Sequence, residues 1–188
     1  MLKEDIPHSN YFNIKLVTIL LGANDATFES SSPQGLSLTE FRYNIEEIIK
    51  YFKKQDSSIK FILITPPMID EEALRIRNEK KGYKLNRSVK RTKLFADTIL
   101  NISAVTENCI GIDLYRNTID NDNINNNKNN KYLSDGLHLN ELGNKVLVDL
   151  VEECIAKHFP KLASNQIKMR TKSWRDIAPL PPPPPPPT

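Results

Sequence analysis

The strongest constraint on the fold is an alternation between two hydrophobic periods along the chain. Ile14 to Leu21 is a run of mostly β-branched and aliphatic residues, too short for a helix and stopped by Gly22. Such a run reads as a strand buried on both faces. Behind it, Ser37 and Glu40 stand at capping-box spacing, followed by Phe41, Ile45, Ile48, Ile49 and Phe52 on one helical face. This predicts a helix ending near Lys54. A second strand is predicted at Lys60 to Thr65, where Pro66 and Pro67 stop the ladder. Residues 71–93 are strongly charged and predict one or two surface helices. Leu94, Phe95, Thr98, Ile99 and Ile102 give helical spacing from Val89 to Asn108, and Cys109 to Leu114 reads as a third strand. Asn140 is placed to cap a last helix with a buried stripe of Leu142, Val146, Leu147, Leu150, Val151 and Cys154. Strands alternating with helices imply parallel pairing through right-handed crossovers, so the fold class is α/β.

The 188 residues suit one domain with a real core. Two segments fall outside the pattern. Residues 121–131, dominated by asparagine, read as a loop insertion, which long loops tolerate because closure entropy grows slowly with length. Residues 179–187 are nearly all proline and read as a polyproline II rod. The domain is therefore placed at 1–162, with 163–188 as an extension. The stretch Pro181–Pro187 suits a partner of the SH3, WW or profilin type.

A formal charge of +3 gives no reason to expect nucleic acid or an anionic membrane. The start, Met1 to Asp5, lacks an apolar signal core, and no run reaches the roughly 18 residues of a membrane span. The expected location is cytoplasmic. Cys109 and Cys154 are far apart and read as small hydrophobes. Three scattered histidines and two lone cysteines make no recognisable metal set, and nothing calls for a cofactor. His8 and His158 lack carboxylates at useful spacing and read as surface residues. The basic residues between Arg75 and Lys93, interrupted by Glu79, read as a solvated helical face.

Two motifs stand where a parallel sheet opens its ligand crevice, just past the carboxyl ends of strands. Gly22-Ala23-Asn24-Asp25 follows the first strand directly. A glycine there lets the backbone turn sharply, and the Asn24 amide can then aim an N–H into the crevice. A donor so placed stabilises an oxyanion; removing one in a comparable site raises the barrier by roughly 3–4 kcal/mol. Ser134-Asp135-Gly136-Leu137-His138-Leu139 leads into the last helix. A carboxylate three residues before an imidazole can hold Nδ1–H and leave Nε2 free to take a proton from a hydroxyl. Pro66 and Pro67 could also line an acyl or alcohol pocket.

The two motifs, about 110 residues apart, resemble blocks III and V of the SGNH/GDSL hydrolases. Thr65-Pro66-Pro67 with Asp70-Glu71-Glu72, and Trp174-Arg175-Asp176, are similar to the isoamyl-acetate-hydrolysing esterases within that superfamily. The likeness runs from about Leu16 to Asp176. It implies a flavodoxin-like three-layer α/β/α sandwich with five parallel strands, about three of them present here. It also implies hydrolysis of small esters, with Asn24 in the oxyanion hole, His138 as general base and Asp135 as its partner. Gly22 and Asp25 would support the turn.

The chain departs from the family at its start. The nucleophile of these enzymes sits in a Gly-Asp-Ser motif after a central strand upstream of block III, and a glycine N–H between them is a second oxyanion donor. None of the 21 residues before Gly22 spell that motif. Ser30, Ser31, Ser32 and Ser134 do not follow a strand in the tight elbow a nucleophile needs. The expectation is a chain lacking an N-terminal portion that carries the nucleophile and two strands. The alternative is a non-catalytic interaction protein that works through its proline run. A nucleotide-binding reading fails for want of a glycine-rich loop after a strand.

Overall fold

The computed structural model describes residues 14–119 and 130–166. The proline run, most of the asparagine tract, His8 and Trp174-Arg175-Asp176 lie outside the described residues. Three strands form one parallel sheet in the order β1 (Leu16–Leu20), β2 (Lys60–Ile64), β3 (Cys109–Ile112). Leu16 pairs with Lys60 and Phe61 with Cys109, so the carboxyl ends of all three strands share one edge.

β2 is apolar on both faces because it lies between two layers. Phe61 and Leu63 face one core with α1 (Leu38–Gln55) and α3 (Val89–Val105), which supply Phe41, Ile45, Ile49, Phe95, Ile99 and Ile102. Ile62 and Ile64 face the other core, which α5 (Glu141–His158) covers with Cys154 and the partly buried Val146, Leu147, Leu150 and Val151. The result is the α/β/α layering expected for crossovers of one hand. No described helix is long and apolar enough to cross a membrane.

α1 starts as the sequence indicates. Ser37 Oγ accepts from the Glu40 N–H at 3.2 Å, and the Glu40 carboxylate accepts from the Ser37 N–H at 3.1 Å. Asn140 caps α5, its Oδ1 accepting from the Gly143 N–H at 3.0 Å. Replacing Phe61, fully buried in the central strand, by alanine is expected to cost about 3–5 kcal/mol through lost burial and an unfilled cavity. Urea unfolding checks this; a cost under about 1 kcal/mol would show that the strand is not packed as described.

Three expectations need correction. β1 is not buried on both faces: Ile19 is buried and Leu16 packs against the second core, but Thr18 is exposed and Leu20 is 39% exposed, because β1 is an edge strand. The third strand stops at Ile112. Asp113 Oδ1 accepts from the Arg116 N–H at 2.9 Å and starts a short helix, α4 (Leu114–Asn117), instead. In α5, Leu142 faces solvent at 44% exposure, one turn before the helix reaches the sheet.

Candidate functional site

Block III is a tight turn off the end of β1. Gly22 has φ +109°, a conformation side-chain-bearing residues rarely adopt, and a Cβ there would come within 3.1 Å of Phe41. The Gly22 N–H donates to Asp25 Oδ2 at 3.1 Å, and the Gly22 carbonyl accepts from the Ala26 N–H at 3.0 Å. These bonds leave Asn24 exposed at the tip. Its Oδ1 accepts from Arg87 Nη2 at 3.0 Å. Among the described residues its Nδ2 has no partner.

Block V closes on itself. The His138 carbonyl accepts from Ser134 N–H at 2.8 Å and from Ser134 Oγ at 3.1 Å, and Leu133 bridges Leu139. Asp135 is the hub. Its Oδ1 accepts from the N–H groups of Leu137 and His138, and its Oδ2 contacts His138 Nδ1 at 2.9 Å. The same Oδ2 lies 2.8 Å from Arg77 Nη1. Nε2 of His138 is unpartnered among the described residues, on a side chain that is 65% exposed.

The Asp135 carboxyl is pushed up by burial. Hydrogen bonds from the His138 N–H, the His138 ring and the Leu137 N–H outweigh that, so it titrates at about 2. Its pKa lies below the unfolded value near 3.9, so the ionised form favours the native state. This contribution is full above about pH 5 and is lost as pH falls toward 2. The stability gap between the protein and Asp135→Asn should therefore close over that window. An unchanging gap would mean that the carboxylate is not held this way.

Both motifs hang on the segment that leaves β2. Pro66 packs under Gly22, a built Cβ lying 3.5 Å from its ring. Asp70 N–H donates to the Gly136 carbonyl at 2.9 Å, and Asp70 caps α2 (Glu71–Glu79) through the Ala73 N–H at 2.9 Å. Gly136, at φ +86°, lies so close that a Cβ would stand 2.9 Å from the Asp70 carbonyl oxygen. Asn24 and His138 are thus carried on the same sheet edge. A cleft of about 420 Å³ opens beside Asp135, with Asp70, Ala73, Arg77, Asn130 and Leu133 in its wall. Pro66 and Pro67 are buried. Ser134 is tied to the His138 carbonyl, and Ser32 Oγ accepts from the Gln34 N–H at 3.2 Å.

The basic stretch is exposed at Arg75, Lys80, Lys81, Lys84, Lys90 and Lys93, as expected of a solvated face, but departs from it at three arginines. Arg75 does lie on an exposed face, paired with Glu72 and Glu79. Arg77 turns to Asp135, and Arg91 donates to the carbonyls of Thr27 and Leu36. Arg87, between α2 and α3, is buried at 9% exposure. Burial, and then the charge of Arg77, lower its pKa. No local pattern marks these roles, because residue 87 meets residue 24 only after the chain has crossed the sheet.

The family model for GDSL-like lipase/acylhydrolase matches residues 2–151. The chain belongs to this family. Among relatives of this GDSL-like chain, the isoamyl acetate-hydrolyzing esterase 1 homolog of Rattus norvegicus is 35% identical over 133 residues, 70% of this chain and 51% of that protein. The Homo sapiens homolog is 31% identical over 164 residues, 86% of this chain and 62% of that protein. The isoamyl acetate-hydrolyzing esterase of Saccharomyces cerevisiae is 26% identical, covering 94% of this chain and 71% of its own. The GDSL-like chain thus spans about half to three-fifths of the two mammalian relatives. Among solved structures, a Bacteroides fragilis protein described as an acylhydrolase superposes with a TM-score of 0.55 at 22% identity, over 76% of this chain and 61% of that one. A Streptococcus pneumonia protein described as a platelet activating factor gives 0.58 at 16% identity, over 74% and 58%. These two show the fold.

Proposed function

We propose that this chain supplies the base and one oxyanion donor of a carboxylic ester hydrolase acting on small, acetate-type esters. In this reading the acyl-accepting serine is carried by polypeptide outside these 188 residues. The observation that carries it is the His138–Asp135 contact at 2.9 Å, with Nε2 unpartnered among the described residues on the sheet edge that also bears the Asn24 amide. Asp135 holds Nδ1–H and fixes the tautomer, so Nε2 is the basic nitrogen. As the serine oxygen attacks the ester carbonyl, Nε2 takes its proton, and Asn24 Nδ2–H donates to the oxygen that gains charge. The imidazolium then protonates the departing alcohol. Water, activated by the same nitrogen, cleaves the acyl-serine to carboxylic acid and free serine.

Two further observations support this division. β1 leaves one edge of the sheet without a described neighbouring strand, and Thr18 and Leu20 stay exposed on one of its faces, a state that invites another strand. The substrate class follows the names of the relatives, isoamyl acetate-hydrolyzing esterases. The test compares residues 1–188 with a longer polypeptide that extends in frame upstream, using p-nitrophenyl acetate, butyrate and octanoate. The longer protein should turn over the acetate fastest, and residues 1–188 alone should be at least about a thousand-fold slower. No strand followed by Gly-Asp-Ser in the upstream frame, or equal activity of the two proteins, would refute the reading.

A further inference from the structure

We infer that Arg87 is a positioning residue that fixes the Asn24 carboxamide with its Nδ2–H outward, toward the developing oxyanion. The inference rests on the reading of Asn24 as oxyanion donor. A carboxamide at an exposed turn tip is free to rotate by half a turn, which would present its oxygen where a donor is needed. A guanidinium has five donors and no acceptor, so the 3.0 Å contact from Arg87 Nη2 can be met only by Asn24 Oδ1. That contact forces Nδ2 to the other side.

The guanidinium is itself held. Nε donates to the Ala23 carbonyl at 3.3 Å, and Nη1 to Asn86 Oδ1 at 3.2 Å. Its planar fork thus grips the backbone before Asn24 and the side chain of Asn24 together, which a lysine cannot do. With 9% of Arg87 exposed, water competes weakly for these bonds, and the charge polarises the amide into a stronger donor. Among the described residues no carboxylate pairs with Arg87. A cation buried in this way is costly, so the bonds to block III are its compensation. The rest of the loop is strapped independently by Arg91, through the carbonyls of Thr27 and Leu36 at 3.2 and 2.8 Å. Loss of Arg87 therefore frees Asn24 without unfolding the turn.

The experiment is ¹⁵N relaxation of the Asn24 side-chain amide in the full 188-residue chain, which needs no turnover. The wild-type amide should be ordered although its residue is exposed, with an order parameter of about 0.8 that falls below about 0.6 in Arg87→Met. Arg87→Lys, which keeps the charge, should fall between. A mobile wild-type amide overturns the inference without any variant, and so does an amide equally ordered in either variant. In the serine-bearing polypeptide, Arg87→Met should lower kcat about 10–100-fold with KM nearly unchanged, and cost nothing further on top of Asn24→Ala. An ordered amide in a protein without esterase activity would sink the proposed function and leave standing only that Arg87 fixes the Asn24 carboxamide.

Discussion

Replacing His138 by alanine is expected to lower kcat toward p-nitrophenyl acetate by about 10⁴–10⁶-fold in the serine-bearing polypeptide, with KM changed little. The size follows from the geometry. Among the described residues, the Nε2 of His138 is the nitrogen with both an orienting carboxylate behind it and no protein partner in front. Without it, the serine proton has no acceptor and the leaving alcohol no donor. What remains is binding and the oxyanion donors, worth roughly 10³–10⁴ over water in a comparable enzyme. The alanine is not expected to disturb the fold, because the side chain is 65% exposed and block V is closed by backbone bonds from Ser134 and Asp70. Unchanged urea midpoints together with lost turnover would assign the effect to chemistry. Loss of less than about tenfold would remove His138 from the mechanism.

A large effect on stability outside the core is expected at Gly136. Alanine there meets two penalties at once: a φ of +86°, and a Cβ 2.9 Å from the Asp70 carbonyl oxygen and 3.0 Å from the Leu74 nitrogen. Left-handed backbone costs a residue with a side chain about 1–2 kcal/mol. The second penalty involves backbone on both sides, which cannot swing aside like a flexible side chain, so a total near 2–4 kcal/mol is expected. Gly82 is the natural control. It has φ +75° but no atom within 4 Å of a built Cβ, so Gly82→Ala should cost about 1 kcal/mol from the backbone alone. Urea unfolding of both variants reads the difference. Equal costs would show that block V does not rest on the start of α2, and with that the fixed placement of His138 would fail.

What could be read from the sequence follows the range of the interactions involved. α1 and α5 were legible at their starts because Ser37–Glu40 and Asn140–Gly143 are caps within one turn. The Asp135–His138 contact was legible for the same reason, being three residues apart. β2 was legible as a strand because both layers bury it. β1 carries a similar apolar run, yet its burial depends on neighbours that the run itself cannot reveal, and here Thr18 and Leu20 are left exposed. α4 was missed because its start rests on Asp113 and on the bond from the Tyr115 N–H to Thr65 Oγ1 at 2.8 Å, a partner fifty residues away. Arg77 and Arg87 were misread for the same physical reason. Their charges looked like those of any soluble helix until the fold carried them to residues 135 and 24.

The most direct test of the proposed base is covalent labelling of the serine-bearing polypeptide with a fluorophosphonate reporter, followed by mass mapping of the labelled peptide. The label is expected on a serine outside residues 1–188, with labelling at least about a hundred-fold slower in His138→Ala. Label on Ser30, Ser31, Ser32 or Ser134, or a rate indifferent to His138, would contradict the assignment of that imidazole as the base for a hydroxyl from elsewhere.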